Sequence, residues 1–456
     1  MLIREKSFYL TFYKLSAMIA VQNLLSYGVN LADNIMLGSY NEISLAAAAL
    51  INQIQYLLQM ISMAGIGAGA LVIVSQYWGK GEIDPIRRII PVAMKFAAVA
   101  GLLFFSVTFF MPETVLSFLT SDAALRAEGV KYLRIMCFTY ITFPLQIVLV
   151  TSMRGVRTVS IGPITSAISL LTNIILNYMF IFGAWGAPEL GITGAAVATL
   201  VARVLELTIV LVYVRVFDRK LRMRLTSFFK PDAAYLADFS KVAIPVMLSG
   251  ASWGIGMMMQ VVILGHISQS IVAANSISAT IYQVITALSF GAASASNVML
   301  GNSIGASSPG AGGEARIRQY SRSFQLLYFI NGLVAGIVLL VLRDFVLGFY
   351  TLEHDTWELT RTFITMLCVV VVFASYQYPV SAGVILGGGN TRYCFIVDTA
   401  FIWLCVLPFS ALSAFVWKLS PVITFLLLKS DQFLKCIPNS IVVNRYRWVR
   451  VLTRKI

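Results

Sequence analysis

Long apolar runs alternate with short polar turns along the whole chain. Windows of about 20 apolar residues, the length a helix needs to cross a bilayer, recur over 13–38, 44–77, 89–111, 131–153, 160–184, 190–216, 240–266, 271–301, 321–349, 360–387, 393–416 and 418–442. The pattern predicts twelve membrane-spanning helices. Several windows exceed the minimum, which predicts tilt or kinks. Pro144, Pro245, Pro379 and Pro408 lie inside spans, where a missing N–H bends a helix. The last window is interrupted by Lys429, Asp431 and Lys435. The first resembles a signal peptide in its basic start, but its length, Gln22 and Asn23, and the spans that follow make it a retained helix.

The two halves repeat. Asp33-x4-Gly38 with Ala46-Ala47 aligns with Gln260-x4-Gly265 and Ala273-Ala274 at one offset. Gln76-x2-Gly79 then matches Asn302-x2-Gly305, and Phe138-x5-Pro144-x12-Arg157 matches Phe373-x5-Pro379-x12-Arg392. Six spans per half give both halves one orientation, so a pseudo-two-fold axis along the membrane normal is expected. The expected fold is an all-α membrane protein of two six-helix lobes. The N-lobe covers 1–232 and includes a basic linker; the C-lobe covers 233–456 and ends in a basic cytoplasmic tail.

Composition agrees. Of 456 residues, 58% are hydrophobic and only 12% charged, and the mean hydropathy is +0.82. A soluble protein carries about 25% charged residues, so this chain cannot cover a water-facing surface. The net charge of +14 does not indicate nucleic acid, because the basic residues sit in short loops. Arg4, Lys6, Lys14, Lys80, Arg87, Arg88, Arg154, Arg157, the connection from Arg215 to Lys230, Arg316, Arg318, Arg322, Arg392 and the tail from Arg445 to Lys455 fall on one side. Glu42, Glu113, Asp122, Glu128, Glu189, Glu353, Asp355 and Glu358 fall on the other. Both termini are therefore expected in the cytoplasm, with the chain in the inner or plasma membrane of the cell. The five cysteines are scattered and have no metal-ligand spacing, and only His266 and His354 are present. Disulfides, a resident metal and a cofactor are not expected.

Candidate chemistry is sparse. Asp33 is the sole charge in the run from Leu15 to Gly38. An acid at the centre of a span costs about 2.5–3.5 kcal/mol to insert, so it normally faces a cavity or a partner. Burial favours the neutral form of a carboxyl and a bound cation the charged form, so one acid can exchange H+ or Na+ against a second ligand. The bland alternative is an acid near a helix end, satisfied locally. Asn173 and Asn177 share one face of the fifth span at i, i+4, and Thr199 lies in the sixth; each alone also serves as interhelical glue. Arg203 and Glu206, at i, i+3, read as an internal ion pair of structural use. Asp398 is either a second ion-binding acid or the structural partner of Arg392. Gln260 is the neutral counterpart of Asp33 in the second half. Met257-Met258-Met259, Trp253, Tyr376 and Tyr378 suit a pliable wall for varied apolar cargo and equally suit lipid-facing packing. Gly65-Ile66-Gly67-Ala68-Gly69-Ala70 satisfies a dinucleotide pattern but lies inside a span, where small residues let helices pack closely.

At these residues the chain resembles the multidrug and toxic compound extrusion (MATE) transporters. The likeness rests on Asp33-Asn34-Ile35-Met36-Leu37-Gly38, Ser75-Gln76-Tyr77-Trp78-Gly79-Lys80-Gly81 and Leu190-Gly191-Ile192-Thr193-Gly194-Ala195-Ala196-Val197-Ala198-Thr199. In the second half it rests on Gly301-Asn302-Ser303-Ile304-Gly305-Ala306, Gly389-Asn390-Thr391-Arg392 and Arg447-Trp448-Val449-Arg450. The resemblance implies a secondary antiporter that exports drug-like, often cationic or amphipathic compounds against inward H+ or Na+, by alternating access of two lobes. It also implies a coupling-ion site at Asp33, Asn173, Asn177 and Thr199, with Asp398 and Gln260 as possible secondary positions. Asn177 stands where some members carry an aspartate, the seventh span has no acid near Gly250 or Ala251, and Asn390 replaces an aspartate before Thr391-Arg392. These departures favour a proton over Na+. A monomer is expected. The alternative is a flippase for lipid-linked saccharides, which needs a basic cavity; the spans hold chiefly Arg203, Lys95 and Arg134. A membrane-embedded enzyme would need clustered catalytic residues, which the loops lack.

Overall fold

The structure is a computed structural model that describes residues 2–223, 232–307, 311–348 and 353–454. The basic connection ending at Lys230 and the tail residue Lys455 reach beyond these. Everything regular in the described residues is helical, as a bilayer demands of backbone that must satisfy its own hydrogen bonds. The helices are α1 Lys6–Tyr40, α2 Glu42–Lys80, α3 Ile83–Phe110, α4 Pro112–Leu119, α5 Ala123–Met136, α6 Thr139–Gly155, α7 Ile161–Phe182 and α8 Ile192–Phe217. The second half holds α9 Ala233–Gly265, α10 Gln269–Ala306, α11 Ala311–Leu347, α12 His354–Ile385, α13 Thr391–Val416, α14 Pro421–Leu428, α15 Ser430–Leu434 and α16 Cys436–Arg445. Ten of them are long and apolar enough to cross a membrane, and an eleventh span is the pair α5 and α6, bent by 51°. The bend falls at Cys137–Phe138, before Pro144. Pro379 opens a π-helical stretch, Pro379–Ile385. The window at 418–442 forms no single helix: it breaks into α14, α15 and α16, and its Asp431 and Lys435 are buried, with Lys435 paired to Asp398 of α13.

The chain separates into two compact units. One comprises Val21–Val74 and Glu82–Gly250. Within it, α7 is built inside out. Gly162, Thr165, Ser166, Ser169, Asn173 and Asn177 are buried, whereas Ile164, Leu171, Ile175 and Tyr178 are exposed. In a bilayer the hydrocarbon is the solvent, so apolar residues turn outward and polar residues find each other inside. The nucleotide-like glycine run also finds its use in this unit. It straddles a π-helical segment of α2, Met60–Gly67. A Cβ on Gly65 would lie 2.8 Å from the Met247 Cα, and one on Gly69 would lie 3.1 Å from the Ala243 Cα. The run is a close helix crossing with the first half of α9.

The other unit comprises Met1–Ala20, Ser75–Gly81 and Ala251–Ile456. Phe8 and Phe12 of α1 pack edge-on and tilted into an aromatic row with Tyr320 and Phe324 of α11. The repeated motifs meet at the ends of α2 and α10. Gly79 abuts the Asn302 carbonyl while Gly305 abuts the Gln76 carbonyl, and Asn302 Nδ2 donates to the Ser75 carbonyl at 2.9 Å. The stretch around Trp448 docks on the same place. Gln76 donates to the Arg450 carbonyl (3.1 Å) and accepts from the Leu452 N–H (2.8 Å), and the Arg450 N–H donates to the Gly388 carbonyl (2.7 Å). Trp448 itself is fully buried.

Candidate functional site

Four polar side chains from three helices close a ring inside the first unit. Asp33 projects from the last third of α1 and is 6% exposed. Asn177 Nδ2 donates to Asp33 Oδ1 at 2.6 Å and to Asn173 Oδ1 at 3.2 Å. Asn173 Nδ2 donates to Thr199 Oγ1 at 3.2 Å, and the Thr199 hydroxyl donates to Asp33 Oδ2 at 3.4 Å. The i, i+4 spacing on α7 puts both asparagines on one face, and small residues before Thr199 (Gly194, Ala195, Ala196 and Ala198, all buried) let α8 come close enough. Both carboxylate oxygens therefore accept from neutral donors. Asn177 Oδ1 is a buried acceptor without a partner.

The nearest cation on α8, Arg203, lies one turn beyond Thr199 and is committed elsewhere. It pairs with Glu206 at 2.9 Å, both side chains being buried, and its guanidinium covers the Phe143 ring. This is the internal pair that the i, i+3 spacing predicts.

The two secondary positions, Asp398 and Gln260, lie in the other unit and are not members of the ring. Gln260 is half-buried on α9. Asp398 pairs with Lys435 at 3.1 Å, and Lys435 also reaches Asp431 at 3.4 Å. Arg392, the partner that sequence proximity favours for Asp398, is exposed. Lys435 is only 2% exposed, and two carboxylates compensate its burial. Gln432 donates to Asp431 Oδ2, and Gln377 donates to Gln432 Oε1. Among the described residues no group of three or more His, Cys, Asp or Glu side chains could hold a metal ion.

One polar group escapes a reading by loops. Arg154 counts as a loop cation in the sequence, yet it lies in the last turn of α6, 3% exposed. It donates to Gln22 Oε1 at 2.8 Å, and its Nε has no partner. Gln22 and Asn23 inside the first apolar window are the signal that α1 carries something polar to meet.

Comparison with known proteins places these features in a group. The family model MatE matches residues 19–179 and 245–433. The probable multidrug resistance protein NorM of Thermotoga maritima is 22% identical over 387 residues, covering 85% of this chain and 82% of that protein. The multidrug resistance protein NorM of Vibrio vulnificus is 24% identical over 407 residues, covering 87% and 85%. Among solved structures, the outward-facing conformation of a multidrug resistance MATE family transporter of the MOP superfamily superimposes with a TM-score of 0.86 at 17% identity, over 98% of this chain and 96% of that one. A MOP superfamily transporter from Pyrococcus furiosus gives 0.85 at 16% identity over 95% of each. At these identities the solved structures speak for the fold.

Proposed function

The chain belongs to the MatE family, and on that premise we propose that it is a secondary antiporter that exports drug-like or cationic organic compounds in exchange for inward H+. The single observation that carries the ion site is the ring: one buried carboxylate, Asp33, held by neutral donors alone. Its relatives' names, multidrug resistance protein NorM, support the cargo class. The protein would lie in the cell membrane as a monomer with both termini cytoplasmic, and its lobes, 1–232 and 233–456, would rock to give alternating access.

The ring suits a proton switch. As a carboxylate, Asp33 can only accept hydrogen bonds; protonated, it also donates one. In the first state Asn177 and Thr199 donate to it. In the second, turning the Asn177 amide over presents Oδ1, the acceptor without a partner, to the new O–H. The two states differ in the direction of the hydrogen bond between Asp33 and α7. A cationic cargo favours the charged form of Asp33 and a proton the neutral form. Binding of one therefore weakens binding of the other, which is the reciprocity that exchange requires. Protonation from outside releases cargo; deprotonation toward the cytoplasm resets the site.

The test is ethidium export in proteoliposomes under an imposed pH or Na+ gradient, with wild type and Asp33→Asn compared at equal insertion. A pH gradient is expected to drive the wild type and not the variant. Full-rate export by Asp33→Asn removes Asp33 as the coupling site, and drive by Na+ alone makes Na+ the coupling ion.

A further inference from the structure

Below the ring, the buried face of α7 continues as a polar column. Asn177, Asn173, Ser169 and Thr165 follow one another at four-residue steps and are all buried. The next turn is Gly162, which abuts the Gln22 side-chain amide of α1. Gln22 in turn accepts from the buried guanidinium of Arg154. From Asn177 to Gly162 the column spans about 22 Å at 1.5 Å per residue, most of the hydrocarbon thickness. All of it lies within one compact unit.

The column is under-satisfied in a consistent way. Ser169 Oγ, Asn177 Oδ1 and Arg154 Nε are buried without hydrogen-bond partners. Thr165 spends its hydroxyl proton on the Ile161 and Gly162 carbonyls and keeps its lone pairs. Orphan polar atoms are rare in protein interiors and are usually satisfied by bound water when two or more converge. A serine-, threonine- and amide-lined file inside a membrane helix is costly unless it is used.

We propose that this column is a hydrated proton route between Asp33 and the cytoplasmic end of the first unit, so that proton and cargo leave or enter Asp33 by different paths on that side. The inference rests on the reading of Asp33 as a proton site. Hydroxyls and amides that both donate and accept can pass a proton along a water file without moving a metal ion through it. Among the described residues no carboxylate pairs with Arg154 at the far end, so its positive charge repels Na+ and K+ from the mouth. Its position on α6 beside the basic loop places that mouth on the cytoplasmic side.

The experiment uses proteoliposomes loaded with a pH-sensitive dye and ethidium as cargo. Ser169→Val fills the file with a methyl-bearing side chain without touching Asp33. It is expected to slow pH-driven export and the matching proton flux by about tenfold or more, while ethidium–ethidium exchange at equal pH keeps the wild-type rate. A variant that merely damages the fold would slow both. Thr165→Val, which keeps its shape and loses the hydroxyl, carries the same expectation should Ser169→Val fail to insert. Wild-type proton flux in both variants, with Asp33→Asn inactive, overturns the route and leaves the Asp33 reading standing. Full pH-driven export by Asp33→Asn overturns both.

Discussion

Asp33 and Asp398 are both carboxylates set in apolar helices, one in each compact unit, but their partners differ in kind. Asp33 meets two asparagines and a threonine. Asp398 meets Lys435, which is shared with Asp431. A buried carboxylate among neutral dipoles can lose its charge by taking up a proton and then donate a hydrogen bond where it accepted one before. A carboxylate that compensates a buried lysine gives up an ion pair when it is neutralised, and that cost opposes the change. The first arrangement is reversible at small cost and the second is locked. The first cluster is held by neutral donors around a buried acid, and the second by charge around a buried lysine.

That contrast can be broken by experiment. The largest effect is expected from Asp33→Asn: pH-driven ethidium export falls about 100-fold, the upper range of coupling between sites. Thermal stability in detergent holds or rises, because a buried charge is removed without orphaning a partner. Lys435→Met should do the reverse. Loss of the lysine leaves Asp398 and Asp431 without their cation and destabilises the fold by about 3–5 kcal/mol, read as a lowered melting temperature. If Lys435→Met melts like wild type, the second cluster is not locked. Asn177→Ala removes the 2.6 Å donor to Asp33 and should slow export about tenfold, the worth of one hydrogen bond to a charged group, with little change in melting. The smallest effect is expected for Asp398→Asn. Lys435 retains Asp431, the loss is about 1 kcal/mol of stability, and export is unchanged. An export defect in Asp398→Asn larger than that of Asn177→Ala would overturn the assignment of coupling to the first unit.

The members of the ring were legible in the sequence as polar letters in apolar windows, and the face shared by Asn173 and Asn177 follows from helical period alone. The ring was not, because Asp33 meets partners 144 and 166 residues away, and periodicity sees only neighbours along one helix. The same limit hides Lys435 as a partner of Asp398. Arg392 is six residues away in the chain, yet Asp398 pairs with Lys435, 37 residues on. The rule that basic residues flank spans puts Arg154 among loop cations. The rule locates a side of the membrane and says nothing of whether a given arginine turns back into the bundle. The span pattern was the most legible feature, since hydrocarbon thickness fixes run length.

The clasp on Gln76 carries a consequence in time. Its partners at Arg450 and Leu452 lie 374 and 376 residues further along. At about 5–20 residues per second of synthesis, Gln76 emerges about 20–75 seconds before the backbone that satisfies its buried amide. The end of α2 must therefore wait in the bilayer, half-made, until the stretch around Trp448 has been translated and threaded onto it. Birth order thus makes this corner the last of the unit to set, and a ribosome that stops short of Val449 would leave it open however well the earlier helices had inserted.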